Sequence, residues 1–101
     1  MREAFVYLIS NKSHTLYCGM TTDLRARFQE HLNGTYPNGF TARYQFDRLV
    51  WFEVLSDSTA AAKREQQIKK WPRRRKVALI QAENPNWLDW SWRLDPLRLF
   101  E

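Results

Sequence analysis

The alternation of apolar and polar positions opens the chain with two short β-rich runs. Residues 4–10 (AFVYLIS) and 15–19 (TLYCG) are dense in β-branched and aromatic side chains, and the polar stretch Asn11 to His14 separates them. That spacing predicts an antiparallel hairpin with a short loop. After Gly19 the period changes. Leu24, Phe28 and Leu32 recur at i, i+4, which at about 100° per residue makes one stripe of a helix. Thr21, Thr22 and Asp23 offer N-cap oxygens, and Gly34 can take the left-handed conformation that stops a helix, so the pattern predicts one over 23–33. The segment from Gly34 to Asp47, with Pro37 and Gly39, reads as a loop. Residues 49–55 (LVWFEVL) are apolar at nearly every position, which suits a central strand. Asp57 or Ser58 can cap a second helix over 59–71, and Pro72 then breaks the pattern and suits the first position of a third helix to Glu83. Asn84-Pro85-Asn86 is a turn, and residues 87–101, with Trp87, Trp90 and Trp92, are expected to form a short helical turn that lays aromatic rings on the body.

The resulting order is β-β-α-β-α-α, an α+β class in which helices flank a small three-stranded antiparallel sheet; strand order does not follow from the pattern. A length of 101 residues predicts a single domain over 1–101, and 44% hydrophobic residues with five Trp, six Phe and four Tyr are ample for a core. The apolar run Ala4–Ile9 is too short to span a membrane and carries no signal-peptide pattern, so a soluble, cytoplasmic protein without membrane contact is expected. Cys18 is the only cysteine, which excludes an intramolecular disulfide and a cysteine-based zinc site.

Charge narrows the choice of partner. The formal net charge is +5, and eight of the sixteen positive residues (Lys63, Arg64, Lys69, Lys70, Arg73, Arg74, Arg75 and Lys76) fall within fourteen positions that hold one acid, Glu65. Such a concentration suits a polyanion, and nucleic acid is the commonest. The plainer alternative is a solvated helix face.

Three sets of residues could carry chemistry. Arg27 and His31 share i, i+4 spacing along one edge of the apolar stripe, where a guanidinium could grip a phosphate while an imidazole moves a proton. Glu65 falls between Ala61 and Ile68 on one helical face, a carboxylate that could hold a hard divalent cation. Tyr7 and Tyr17 stand one on each hairpin strand, and a phenol carries protons if a neighbouring cation lowers its pKa from about 10. Each set also has a plain structural explanation. Arg27 can be a surface charge and His31 a helix residue near a favourable dipole, Glu65 can pair with Lys69, and the tyrosines can pack across strands.

Taken in order, the same residues resemble a known pattern. Val6-Tyr7 followed by Tyr17-Cys18-Gly19 is similar to the two tripeptides that name the GIY-YIG nuclease superfamily. The run from Thr22 to Gly34 resembles the helix motif of that family, with Arg27 and His31, and Ala62 to Trp71 resembles the segment that supplies its metal-binding Glu, in the form of the small stand-alone bacterial members. Asn84 to Trp87 with Asp89 is similar to the tail of those proteins. The first tripeptide reads Phe5-Val6-Tyr7 in place of Gly-Ile-Tyr, and Cys18 replaces the middle Ile of the second; both changes spare the tyrosines. The resemblance implies that Tyr7 and Tyr17 position and deprotonate water, Arg27 stabilises charge on phosphorus, His31 accepts or relays a proton, and Glu65 holds one Mg²⁺ or Mn²⁺. A late Asn occurs in many larger members, and Asn84 does not match it in spacing.

The expectation is therefore a monomeric endonuclease cutting DNA in preference to RNA, without a small-molecule cofactor, selective for structure or little selective at all. Lys63, Lys69, Lys70, Arg73, Arg74, Arg75 and Lys76 would bind the nucleic acid. The alternatives are a non-catalytic nucleic-acid-binding module of the same fold and an RNA-cutting enzyme.

Overall fold

The strands β1 (Ala4–Ser10), β2 (Leu16–Thr21) and β3 (Arg48–Leu55) form one antiparallel sheet in the order β2-β1-β3. The computed structural model describes residues 2–34 and 44–94. Most of the expected loop, residues 35–43, and the end of the aromatic tail, residues 95–101, lie outside the described residues. The central place belongs to β1, which is apolar toward both faces: Ala4, Val6 and Leu8 pack into one layer, Tyr7 and Ile9 into the other, all at most 1% exposed. This corrects the expectation for 49–55. β3 is an edge strand, and it reads as central because Leu49, Val50 and Trp51 are buried and its outer edge at Leu49 and Val50 is bonded by chain that follows the last helix. There Trp90 N–H donates to Leu49 O at 2.7 Å, Leu49 N–H to Asp89 Oδ1 at 3.0 Å, and Asn84 Nδ2 to Val50 O at 3.0 Å.

Helices cover the two faces. α1 (Leu24–Asn33) packs Leu24 and Phe28 against Tyr7, Ile9 and Leu49. α2 (Ser58–Lys69) and α3 (Arg73–Glu83) bring Ala61, Ile68 and Ile80 to Val6, Leu8 and Cys18 on the opposite face. Full burial of each Leu, Ile or Phe contributes roughly 1.5–3 kcal/mol. Asp23 Oδ1 caps α1 through Ala26 N–H at 3.0 Å, Asp57 Oδ1 caps α2 through Ala60 N–H at 2.8 Å, and Gly34 ends α1 at φ 67°. No helix among the described residues is long and apolar enough to cross a membrane.

Several expected details differ. α2 stops at Lys69, short of Trp71. Pro72 is the N-cap of α3 and not its first helical residue, because its ψ of 157° is extended; its carbonyl still accepts from Arg75 N–H and Lys76 N–H at 3.0 and 3.4 Å. Leu32 is 43% exposed, and His31 takes its place in the buried stripe. The helical period explains the exchange. At about 100° per residue, position 31 returns to within about 20° of Leu24, whereas position 32 lies about 80° away. Of the tail, Ser91–Leu94 is a 3₁₀ turn; Trp87 is buried and Trp92 is half exposed.

Candidate active site

Tyr7 on β1 and Tyr17 on β2 project from the same face of the sheet. The register sets Tyr7 opposite Gly19 and Ile9 opposite Tyr17, so the phenols are diagonal neighbours with ring centroids 6.4 Å apart. The end of the Tyr7 ring fills the space beside Gly19, where an added methyl would overlap its Cζ and Oη. Glycine at the third position of Tyr17-Cys18-Gly19 is thus the floor that lets Tyr7 reach across β2. Its hydroxyl ends 2.9 Å from His31 Nε2, and the imidazole centroid lies 5.8 Å from the Tyr7 ring and 5.3 Å from the Tyr17 ring. The sequence placed these three residues on three separate elements; the 24-residue link between Tyr7 and His31 left no local signal.

His31 is 2% exposed, deeper than the core–solvent boundary expected for it. Burial, with the positive charge of Arg27 adding to it, lowers its pKa from 6.5 to about 4. The imidazole is therefore neutral near pH 7, and in the tautomer protonated on Nδ1 its Nε2 accepts a hydrogen bond from Tyr7. Arg27, one turn earlier on α1, pairs with Glu30 at 3.7 Å and keeps 28% of its side chain exposed. A pair of that kind holds its partners by about 0–1 kcal/mol, weakly enough for a phosphate to compete.

Glu65 comes to the sheet from a different helix. It lies on α2, in the layer on the other face of the sheet, between Ala61 and Ile68, and its side chain is 19% exposed. Its Oε2 is 3.5 Å from Lys69 Nζ, the i, i+4 pair that helical spacing alone provides. The carboxylate also acts on Cys18, whose thiol is pushed up to about 11 by burial and then by Glu65, with Lys69, Lys76 and Arg64 opposing. Cys18 follows Tyr17 in β2 but points to the opposite face. Tyr7, Tyr17 and His31 thus approach β2 from one face and Glu65 from the helix layer of the other, where its charge reaches Cys18, the neighbour of Tyr17. Among the described residues no group of three or more His, Cys, Asp or Glu converges on a cation position. One half-buried carboxylate fits a Mg²⁺ or Mn²⁺ that keeps most of its waters; it does not fit a cage built by the protein.

The basic stretch is less uniform than its sequence suggests. Arg64 bonds Glu53 at 2.8 Å and Gln67 at 2.6 Å, and the guanidiniums of Arg64 and Arg75 lie 5.3 and 4.2 Å from the Trp71 ring centroid. Of the residues expected to bind nucleic acid, Lys69 and Arg75 therefore already have partners within the protein, while Lys63, Lys70, Arg73 and Arg74 are exposed and Lys76 is half-buried. Asn84, which did not match the late Asn of larger family members, has another use: its amide bonds Val50 O, Leu88 O and Leu88 N–H.

The chain is similar to known proteins in sequence and fold. A sequence model described as the GIY-YIG catalytic domain matches residues 3–78, a span that includes Tyr7, Tyr17, Arg27, His31 and Glu65. A UPF0213 protein of Syntrophus aciditrophicus is 36% identical over 85 residues, covering 84% of this chain and 97% of its own. One from Vibrio cholerae is 36% identical over 77 residues, 75% of each chain. Among solved structures, the solution NMR structure of a UPF0213 protein from Bacillus halodurans is similar with a TM-score of 0.54 and 27% identity, covering 84% of this chain and 89% of that one.

Proposed function

We propose that this chain, which belongs to the GIY-YIG family, is a metal-dependent endonuclease that hydrolyses phosphodiester bonds in DNA, selective for structure or with little sequence preference. The observation that carries the reading is the contact of Tyr7 Oη with Nε2 of a buried, neutral His31, with the Tyr17 ring beside both. Neutral at pH 7, His31 Nε2 accepts the hydrogen bond of the Tyr7 hydroxyl and can receive that hydroxyl's proton as Tyr7 takes one from the attacking water; Tyr17 is the other candidate base. Arg27, whose pairing with Glu30 is loose, stabilises the charge that grows on the phosphoryl oxygens. Glu65 would hold the divalent cation, which when bound supplies Lewis acidity to the phosphate and its leaving oxygen.

The test is a cleavage panel of branched, nicked and linear DNA beside RNA, with and without Mg²⁺ or Mn²⁺. Metal-dependent cutting that disappears in Glu65→Ala is expected. Tight binding with no cutting in either metal would leave a nucleic-acid-binding module of the same fold, and cleavage confined to RNA would change the substrate. Arg27→Ala should abolish turnover at little cost in binding, because its charge is aimed at the transition state; affinity falling in step with rate would contradict that role.

A further inference from the structure

Within the basic stretch, two cations share a cleft with another element. Arg73 and Lys76, three residues apart in the first turn of α3, line a cleft of about 320 Å³ whose other wall is the β1–β2 turn, Ser13, His14, Thr15 and Leu16. That turn is firmly built. Asn11 Oδ1 accepts from Ser13 N–H and Thr15 N–H at 3.0 and 3.1 Å, and the Asn11 carbonyl accepts from His14 N–H at 3.0 Å. His14 occupies the left-handed region at φ 60°, which histidine tolerates better than most residues. Its ring stacks on Trp87 with centroids 4.1 Å apart and 9° between planes, a contact that fixes the imidazole at the rim. Two cations, two hydroxyl-bearing side chains and an imidazole therefore border one space, and no carboxylate is among its described lining.

We propose that this cleft is a backbone-phosphate subsite that takes a non-scissile phosphodiester of the nucleic acid. The inference rests on the nucleic-acid reading above and adds a second point of grip outside the tyrosine–histidine cluster. Leu16 opens β2 directly before Tyr17, so a backbone held here is led onto the strand that carries the tyrosine. Arg73 offers a planar fork and Lys76 a point charge to the phosphate oxygens. Lys76 already contributes to the field at Cys18, which places its charge along the β2 side of the molecule.

The experiment compares Arg73→Gln/Lys76→Gln with Arg2→Gln/Arg25→Gln, which removes the same charge from exposed positions elsewhere. Binding of a short fluorescent duplex DNA, and of a single-stranded RNA in parallel, is measured by anisotropy over a series of salt concentrations. For duplex DNA the slope of log K against log[salt] should fall by about 0.9 in the cleft variant, the share of one phosphate contact, and far less in the control. In cleavage, KM should rise while kcat at saturation is kept, the signature of binding shared by ground and transition states. Equal losses of slope in the two variants, or a defect confined to kcat, would overturn the subsite while leaving the nuclease reading intact. Wild-type protein that binds neither DNA nor RNA would overturn the nucleic-acid reading and the subsite together, whereas binding without cutting would remove only the nuclease reading, since the salt slopes still decide the subsite.

Discussion

Gly19 and His31 show how single positions hold the cluster. The ring of Tyr7 occupies the space a side chain at 19 would need, so Gly19→Ala should force the phenol away from His31. The expected cost is about 1–3 kcal/mol, the range for overpacking, read as a lower urea midpoint and accompanied by loss of cleavage. For His31 the sign follows from its lowered pKa. As pH falls below 6.5 the unfolded chain takes up the proton that the folded chain refuses until about pH 4. Stability is therefore full above the upper value and declines toward the lower one, by about 3 kcal/mol for a shift of this size. His31→Gln should flatten that acid limb in denaturant titrations across the window; an unchanged limb would mean that other groups set it. Neither role is visible in a local stretch of sequence. The plain explanations of Tyr7, Tyr17 and His31 are cross-strand packing and a helix-end histidine, and only their joint order with Arg27 and Glu65 pointed to a site. For Glu65 the plain explanation, a pair with Lys69, is what the helix displays.

At the level of elements, the order β-β-α-β-α-α was legible because its signals are local: alternation in the hairpin, the caps Asp23 and Asp57, and the stop at Gly34. Strand order was not, since β3 lies at an edge whose Leu49 and Val50 are bonded by residues 34 to 41 positions away. Asn84 is central to that closure. It is 2% exposed, and replacing it with Ala strands the carbonyls of Val50 and Leu88 and the amide of Leu88. Asn84→Ala should cost about 1–3 kcal/mol in chemical denaturation, since the buried Val50 carbonyl left without a partner carries its desolvation penalty. Because the bonds of Asn84 go to Val50 and Leu88 and to no tyrosine or His31, activity below the unfolding transition should be kept. A variant that is stable but inactive would instead return Asn84 to the site.

For the molecule as a whole, the proposed nucleic-acid binding should weaken steeply as salt rises, because half of the cations behind the charge of +5 fall in one stretch. The Trp71 and Glu65 contacts make the effective count smaller than the formal one, so Arg75→Gln should change the salt slope less than Arg73→Gln. The cover over β3 has another consequence. An open strand edge offers unpaired amides and carbonyls as a template on which a second molecule can add a strand. At Leu49 and Val50 those groups are already bonded to Trp90, Asp89 and Asn84. The segment after α3 is thus a guard against intermolecular β-pairing as well as a brace. Asp89→Ala, which frees the Leu49 amide, should shorten the lag before aggregates that bind β-specific dyes form in concentrated solution.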